Sequence, residues 1–224
     1  MDIKNMDRKE RQSMLTMFFY RYRGEDLTKM NRYIKRNYGK HAYVFHEKTS
    51  KYVHTDLYPI LPDETKAYYT LVSLGMGTDD MYINDVRKAA IELVLYLSET
   101  PDQTRELNYA AFLTNLTKLP FSNETFFDVG HTLEFSDYDK TVFPNYDGFA
   151  FRQSRTRAGR ADAKVYLPGI ERTVRFLDLV PVFADEFDLI HENTAEFFDW
   201  IDKEFGVQGR FADIKREQHF TFND

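Results

Sequence analysis

Six histidines, a short glycine run and an arginine-rich stretch are the places where this 224-residue chain could do chemistry. His131 stands out, because Asp128, Glu134, Asp137 and Asp139 lie close to it and could supply a metal site or an acid-base pair. The other histidines, His41, His46, His54, His191 and His219, form no His-x-x-x-His or His-Glu-x-x-His arrangement. The local pattern gives His131 a second reading. Val129, His131, Leu133 and Phe135 alternate with Gly130, Thr132 and Glu134, which predicts a strand carrying the imidazole on its apolar face as a hydrogen-bonded core residue. The run from Gly75 through Met76, Gly77, Thr78 and Asp79 to Asp80 lacks the Lys-Ser or Lys-Thr of a phosphate loop and the three glycines of a dinucleotide fingerprint. It reads better as a junction that turns under a packed methionine. Arg152, Arg155, Arg157, Arg160 and Lys164 fall in one predicted loop, which could read carboxylates or phosphates or could simply be solvated. No Gly-x-Ser-x-Gly elbow occurs, and the lack of cysteine removes disulfides, thiolate ligands and a cysteine nucleophile. No cofactor and no catalytic residue is expected. A metal-assisted hydrolase centred on His131 with Asp128 or Glu134 is the enzymatic alternative.

The elements that would position these residues follow from hydrophobic period. Residues 6 to 22 and 25 to 37 repeat apolar side chains every three or four positions and predict helices, the second ended by Gly39. Residues 42 to 45 and 51 to 58 are aromatic and β-branched and predict strands, with Pro59 and Pro62 stopping any ladder. Residues 67 to 74 predict an inner strand. In 90 to 97, Ile91, Leu93, Leu95 and Leu97 share one face against Glu92, Val94 and Tyr96, so another strand is expected there. Thr100, Pro101 and Gln103 predict a helix start, with the helix running to about Lys118 and stopping before Pro120. Further strands are expected around 129 to 135, 146 to 151 and 174 to 182, and Pro168-Gly169 predicts a hairpin turn between Val165 and Val174. A single helix is predicted from Asp185 to Phe205, followed by a polar, weakly ordered tail. Strands interleaved irregularly with helices indicate an α+β fold with a mixed β-sheet flanked by helices. The expected division is a basic helical extension over 1-29, one domain over 30-205 and the tail over 206-224.

The 42% hydrophobic and 16% aromatic content supplies enough large apolar surface for one core. No signal peptide and no apolar run long enough to span a membrane is read, so a cytoplasmic protein without a membrane partner is expected. The net charge of -6 is uneven: residues 1 to 40 hold 11 Lys or Arg against 5 Asp or Glu, which leaves -12 on the remainder. The basic arm could contact nucleic acid or an acidic partner, or carry solvated charges, while the acidic majority argues against general nucleic-acid affinity.

Several of these segments together resemble the suppressor-of-fused family in its bacterial form. Tyr38-Gly39 ends a helix, the stretch from 51 to Asp56 resembles the family's aspartate-bearing strand, and Tyr69 to Met76 followed by Met81 resembles its Leu-Val-Thr-x-Gly-Met segment. Ile91 to Leu97, Leu119-Pro120, Gly130-His131-Thr132 and Val180-Pro181 with Glu186 follow in the family's order. The likeness spans about residues 30 to 205. Gly77 stands where serine is common after Gly-Met, and Trp200 is the only tryptophan where the family has others around the middle helix. The resemblance implies a mixed sheet flanked by helices, a protein-binding role without known chemistry and, for bacterial members, frequent service as immunity proteins that neutralise a toxin. The partner-binding residues expected are Gly75, Met76, Asp79, Asp80 and Met81, as flexible methionine surface beside negative charge, with Arg152, Arg155, Arg157 and Arg160 as a second candidate.

Overall fold

A computed structural model describes residues 22, 24–48, 50, 52–83, 86–155, 163–217 and 219–220. The helix expected over 6 to 22, Tyr22 apart, lies outside them, as do Arg157 and Arg160. Helix α1 (Gly24–Asn37) carries Glu25 and Asp26 in its first turn and Lys35 and Arg36 in its last, in the sense its dipole favours, and buries Met30 and Ile34. Gly39 leaves it at φ +125°, a conformation open to a residue without a Cβ.

The strands are β1 (Asp56–Ile60), β2 (Tyr69–Leu74), β3 (Tyr82–Ile83), β4 (Val86–Arg87), β5 (Ala90–Leu97), β6 (Thr132–Glu134), β7 (Gly148–Gln153), β8 (Lys164–Leu167) and β9 (Arg172–Val182). The helices that follow α1 are α2 (Gln103–Ser122), α3 (Asp137–Val142), α4 (Phe187–Glu192) and α5 (Thr194–Glu204). Seven strands form one mixed sheet in the order β1-β2-β5-β9-β7-β6, with β8 also pairing β9, while β3 and β4 form a small separate hairpin. β5 and β9 run parallel and the other pairs in the large sheet are antiparallel. Central position explains why β5 is buried on both faces: Ile91, Leu93 and Leu95 pack with Phe112, Leu113 and Leu116 of α2, and Val94 and Tyr96 pack in the cluster that holds Met30 and Ile34 of α1. At the other end of that second face, Val180 and Val182 of β9 pack with Phe197, Phe198 and Ile201 of α5. The expected hairpin is present, with Val165 opposite Val174.

Prolines account for two of the displaced boundaries, at Pro59 and Pro120. Pro59 lies inside β1, opposite Leu71, and its carbonyl accepts from Ala42 N at 2.9 Å, so its missing donor faces away from β2 and no ladder bond is lost. Pro181 is accommodated in β9 by the same geometry, since its carbonyl turns away from β7 toward Arg216. Pro120 lies within α2, which runs on to Ser122. That helix is capped by Asp102, whose carboxylate accepts from Arg105 N at 3.0 Å, and Thr100 does not serve as the cap. The expected helix from 185 to 205 is broken into α4 and α5 at Asn193, whose side chain accepts from Glu196 N at 3.2 Å and starts a new helix. The strand expected over 129 to 135 shrinks to β6, because Gly130 turns at φ +84° against the Thr194 side chain. Residues 206 to 217 do not form a loose polar tail: Gly209, Arg210, Phe211, Ala212 and Arg216 are buried. No helix among the described residues is long and apolar enough to cross a membrane.

Candidate functional site

The segment from 75 to 81 is packed inside the molecule, which corrects its expected role as flexible methionine surface. Met76 is 1% and Met81 2% exposed, both in the core beneath α2, and Asp79 is 7% exposed. Asp80 pairs with Arg172 at 3.0 Å, and Arg172 also donates to the Thr78 carbonyl. Gly75, at φ +131°, lies against the His54 carbonyl where no Cβ would fit. The organiser of this segment is Glu92 of β5, fully buried. It accepts from Tyr22 Oη (2.8 Å), Ser73 Oγ (2.6 Å), Gly75 N (2.8 Å) and Gly77 N (3.0 Å). Burial pushes its pKa above the ordinary 4.5, and these neutral donors offset part of the rise. Glu92 was visible in the sequence as a lone acid within an apolar strand, a pattern that demands buried partners. Beside it, the Asp56 carboxylate meets His54 Nε2 at 3.0 Å and His46 Nδ1 at 3.2 Å.

The arginines divide differently from the sequence expectation. Arg152 belongs to β7, is 5% exposed and makes a two-pronged ion pair with Asp202 of α5, so it is not part of a solvated loop. Arg155, partly exposed, reaches the same carboxylate at 2.7 Å. Arg210 joins Asp202 at 3.2 Å and the fully buried Asp178 at 3.0 Å. Burial raises the Asp178 pKa, and Arg210 opposes that rise. Arg216 lies between the rings of Phe183, Phe197, Trp200 and Phe205 and pairs through Nη2 with both oxygens of buried Glu186. Sequence spacing carried no sign of these pairs, which join residues up to 50 positions apart.

His131 lines a groove of about 580 Å³ between β6, the segment 125–130 and the start of α5. Its walls include Phe126, Val129, Leu133, Thr132, His191 and Thr194. The His131 ring is half-buried and edge-on to Phe126 at 4.7 Å, and the Thr132 hydroxyl and His191 Nε2 are 2.9 Å apart. Asp128 is drawn off to Arg175 Nη2 at 2.7 Å, and that contact, with the Val129 amide, holds its carboxyl below the ordinary value against the effect of burial. Glu134 is exposed on β6. Among the described residues no three His, Asp or Glu side chains gather into a set that could hold a metal ion. The groove is thus an open, mixed apolar and hydrogen-bonding surface suited to contacts with another molecule.

The model of the suppressor of fused protein family (SUFU) matches residues 51–217. No protein of curated function matches the chain. Among solved structures, a putative SUFU homolog from Neisseria gonorrhoeae FA 1090 superposes with a TM-score of 0.59 at 13% identity, covering 91% of this chain and 98% of that one. A chain of the Sufu-Fu complex gives 0.58 at 13% identity, covering 88% and 91%. Drosophila Suppressor of Fused gives 0.51 at 15% identity over 74% of this chain and 42% of its own length. The mixed sheet, the flanking helices and the family match over more than half of the sequence agree, and the chain belongs to the suppressor of fused family.

Proposed function

We propose that this protein works by binding another protein in a stoichiometric complex, and that its partner is a toxin which it neutralises as an immunity protein. The observation that carries the reading is family membership together with a fold shared, over most of both chains, with a component of the Sufu-Fu complex. The buried carboxylates Glu92, Asp178 and Glu186, and the partly buried Asp202, fit it, since each is held by structural partners within the chain. The charge of -12 on residues beyond 40 would draw a basic partner such as a nuclease, chiefly by speeding encounter.

Co-expression with a candidate toxin encoded by the adjacent gene is the test. Restored growth and a one-to-one complex on gel filtration are expected. A toxin equally lethal with and without this protein, and absent from its eluate, would overturn the reading. Complex formation without rescue would keep protein binding and remove neutralisation.

A further inference from the structure

Most arginines of the described residues are tied to acids, as Arg152 is to Asp202, Arg172 to Asp80, Arg175 to Asp128 and Arg216 to Glu186. Helix α1 departs from this. Arg32, Lys35 and Arg36 are exposed on the side away from buried Met30 and Ile34, and Lys40 is exposed just past the helix end. None of these four meets a carboxylate among the described residues. Arg32, Lys35 and Arg36 fall within about 6 Å of helix axis, and the like charges at i and i+4 are mildly destabilising. Lys35 and Arg36 complement the helix dipole, but Arg32 and Lys40 lie outside the last turn, so the dipole accounts for only part of the stripe. Acids on α1 are confined to its first turn, where buried Asp26 accepts from Gly169 N at 3.0 Å and fixes the helix against the turn between β8 and β9. β8 extends the surface. Its Lys164 and Tyr166 are exposed between buried Val165 and Leu167, Tyr166 to 53%, and Lys29 Nζ of α1 stands 5.8 Å from the Tyr166 ring centre.

We propose that this face of α1 and β8 binds single-stranded nucleic acid, with Arg32, Lys35, Arg36 and Lys40 on the phosphates and Tyr166 stacked on a base. Cations left without acids on one line are what a phosphate backbone neutralises. An exposed aromatic ring beside them is the second half of a single-strand site, since only an unpaired base offers it a free face. Two other polyanions fit less well. An anionic bilayer would need an apolar face to enter, and that of α1 is sunk in the core with Met30 and Ile34. An acidic polypeptide would engage the cations but leave Tyr166 without a role. Residues beyond 40 carry a net -12, which repels a polyanion and restricts its contact to this stripe. Nucleic-acid binding here is a second activity on its own surface, and it stands or falls separately from toxin neutralisation.

The probes are fluorescent oligothymidylate and oligouridylate, titrated with the full chain and followed by anisotropy. Binding of either supports the proposal, and the tighter of the two tells DNA from RNA. With four phosphate contacts, the slope of log affinity against log salt should be about -2.8, so affinity should fall about fiftyfold between about 50 and 200 mM salt. Arg32→Gln with Arg36→Gln should halve that slope and weaken binding about tenfold or more at low salt. Tyr166→Leu should weaken binding by about fivefold to a hundredfold while leaving the slope unchanged, because stacking releases no counterions. All three residues are solvent-exposed, and a thermal melt checks that the variants fold. Should the double variant not fold, Lys40→Gln, outside the helix, should lower the slope by about 0.7. No binding at low salt, or affinity and slope equal in wild type and the folded charge variants, overturns the proposal. So does poly-glutamate competing as well as the oligonucleotides with Tyr166→Leu without effect, which would make the occupant an acidic polypeptide. Anionic vesicles that bind where the oligonucleotides do not also overturn it.

Discussion

Two corners of this sheet bury carboxylates by opposite means. Glu92 is surrounded by neutral donors, two hydroxyls and two backbone amides, and with them ties Tyr22 and the 75–77 turn to β5. Glu186 is met by a guanidinium, Arg216, itself enclosed by aromatic rings, and by the Phe220 amide at 2.7 Å. A carboxylate held by neutral donors keeps the option of taking up a proton. One locked to a buried cation leaves an uncompensated charge as soon as its partner is removed. The first corner should therefore respond to pH, and the second to mutation.

The largest effect is expected from Arg216→Ala, which leaves Glu186 buried and unpaired and should lower stability by about 3–5 kcal/mol. Urea denaturation measures it, and a loss below about 1 kcal/mol would erase the contrast between the corners. Glu92→Gln comes next, at about 1–2 kcal/mol in acid, because an amide N–H₂ then replaces an accepting oxygen opposite Ser73. Its pH dependence sharpens the comparison. The folded-state pKa of Glu92 lies above 4.5, so the folded protein retains a proton that the unfolded chain releases. The stability contributed by that proton is full below about 4.5 and is lost as pH rises through the elevated value. The advantage of wild type over Glu92→Gln should accordingly be greatest in acid and narrow toward neutral pH, and a gap that widens instead would contradict the raised pKa. Tyr22→Phe is the mildest change, removing one neutral donor for about 0.5–1.5 kcal/mol in a thermal or urea melt. No change at all would mean that the Tyr22 hydroxyl does not contribute to holding Glu92.

Local period made the helix Gly24–Asn37, the strand β5 and the Val165–Val174 hairpin legible, because each depends on neighbours within a few residues, whereas the burial of β5 on both faces follows from its central place in the sheet. Proline misled where the side of the strand mattered: at Pro59 the absent N–H faces outward, a property of the sheet and not of the residue. Asn193 was readable as a cap in principle, but the unbroken apolar stripe around it outweighed one polar residue. The groove was legible only through His131, since its other walls come from segments separated in sequence and joined by the fold. Met76 illustrates the limit most clearly. Glycines and aspartates beside a methionine look like surface until Glu92, 16 positions on, draws the backbone amides inward.

The arginine pairs also set a schedule. Arg210 follows Asp178 by 32 residues, and Arg216 follows Glu186 by 30. A ribosome adding about 5–20 residues per second delivers each cation roughly 1.5–6 s after its carboxylate. During that interval the nascent chain carries the acids without the groups that neutralise them, so β9 and the turn before α4 cannot close their buried faces. Completion of this part of the sheet therefore waits at least until these arginines have been synthesised, however fast its strands can pair.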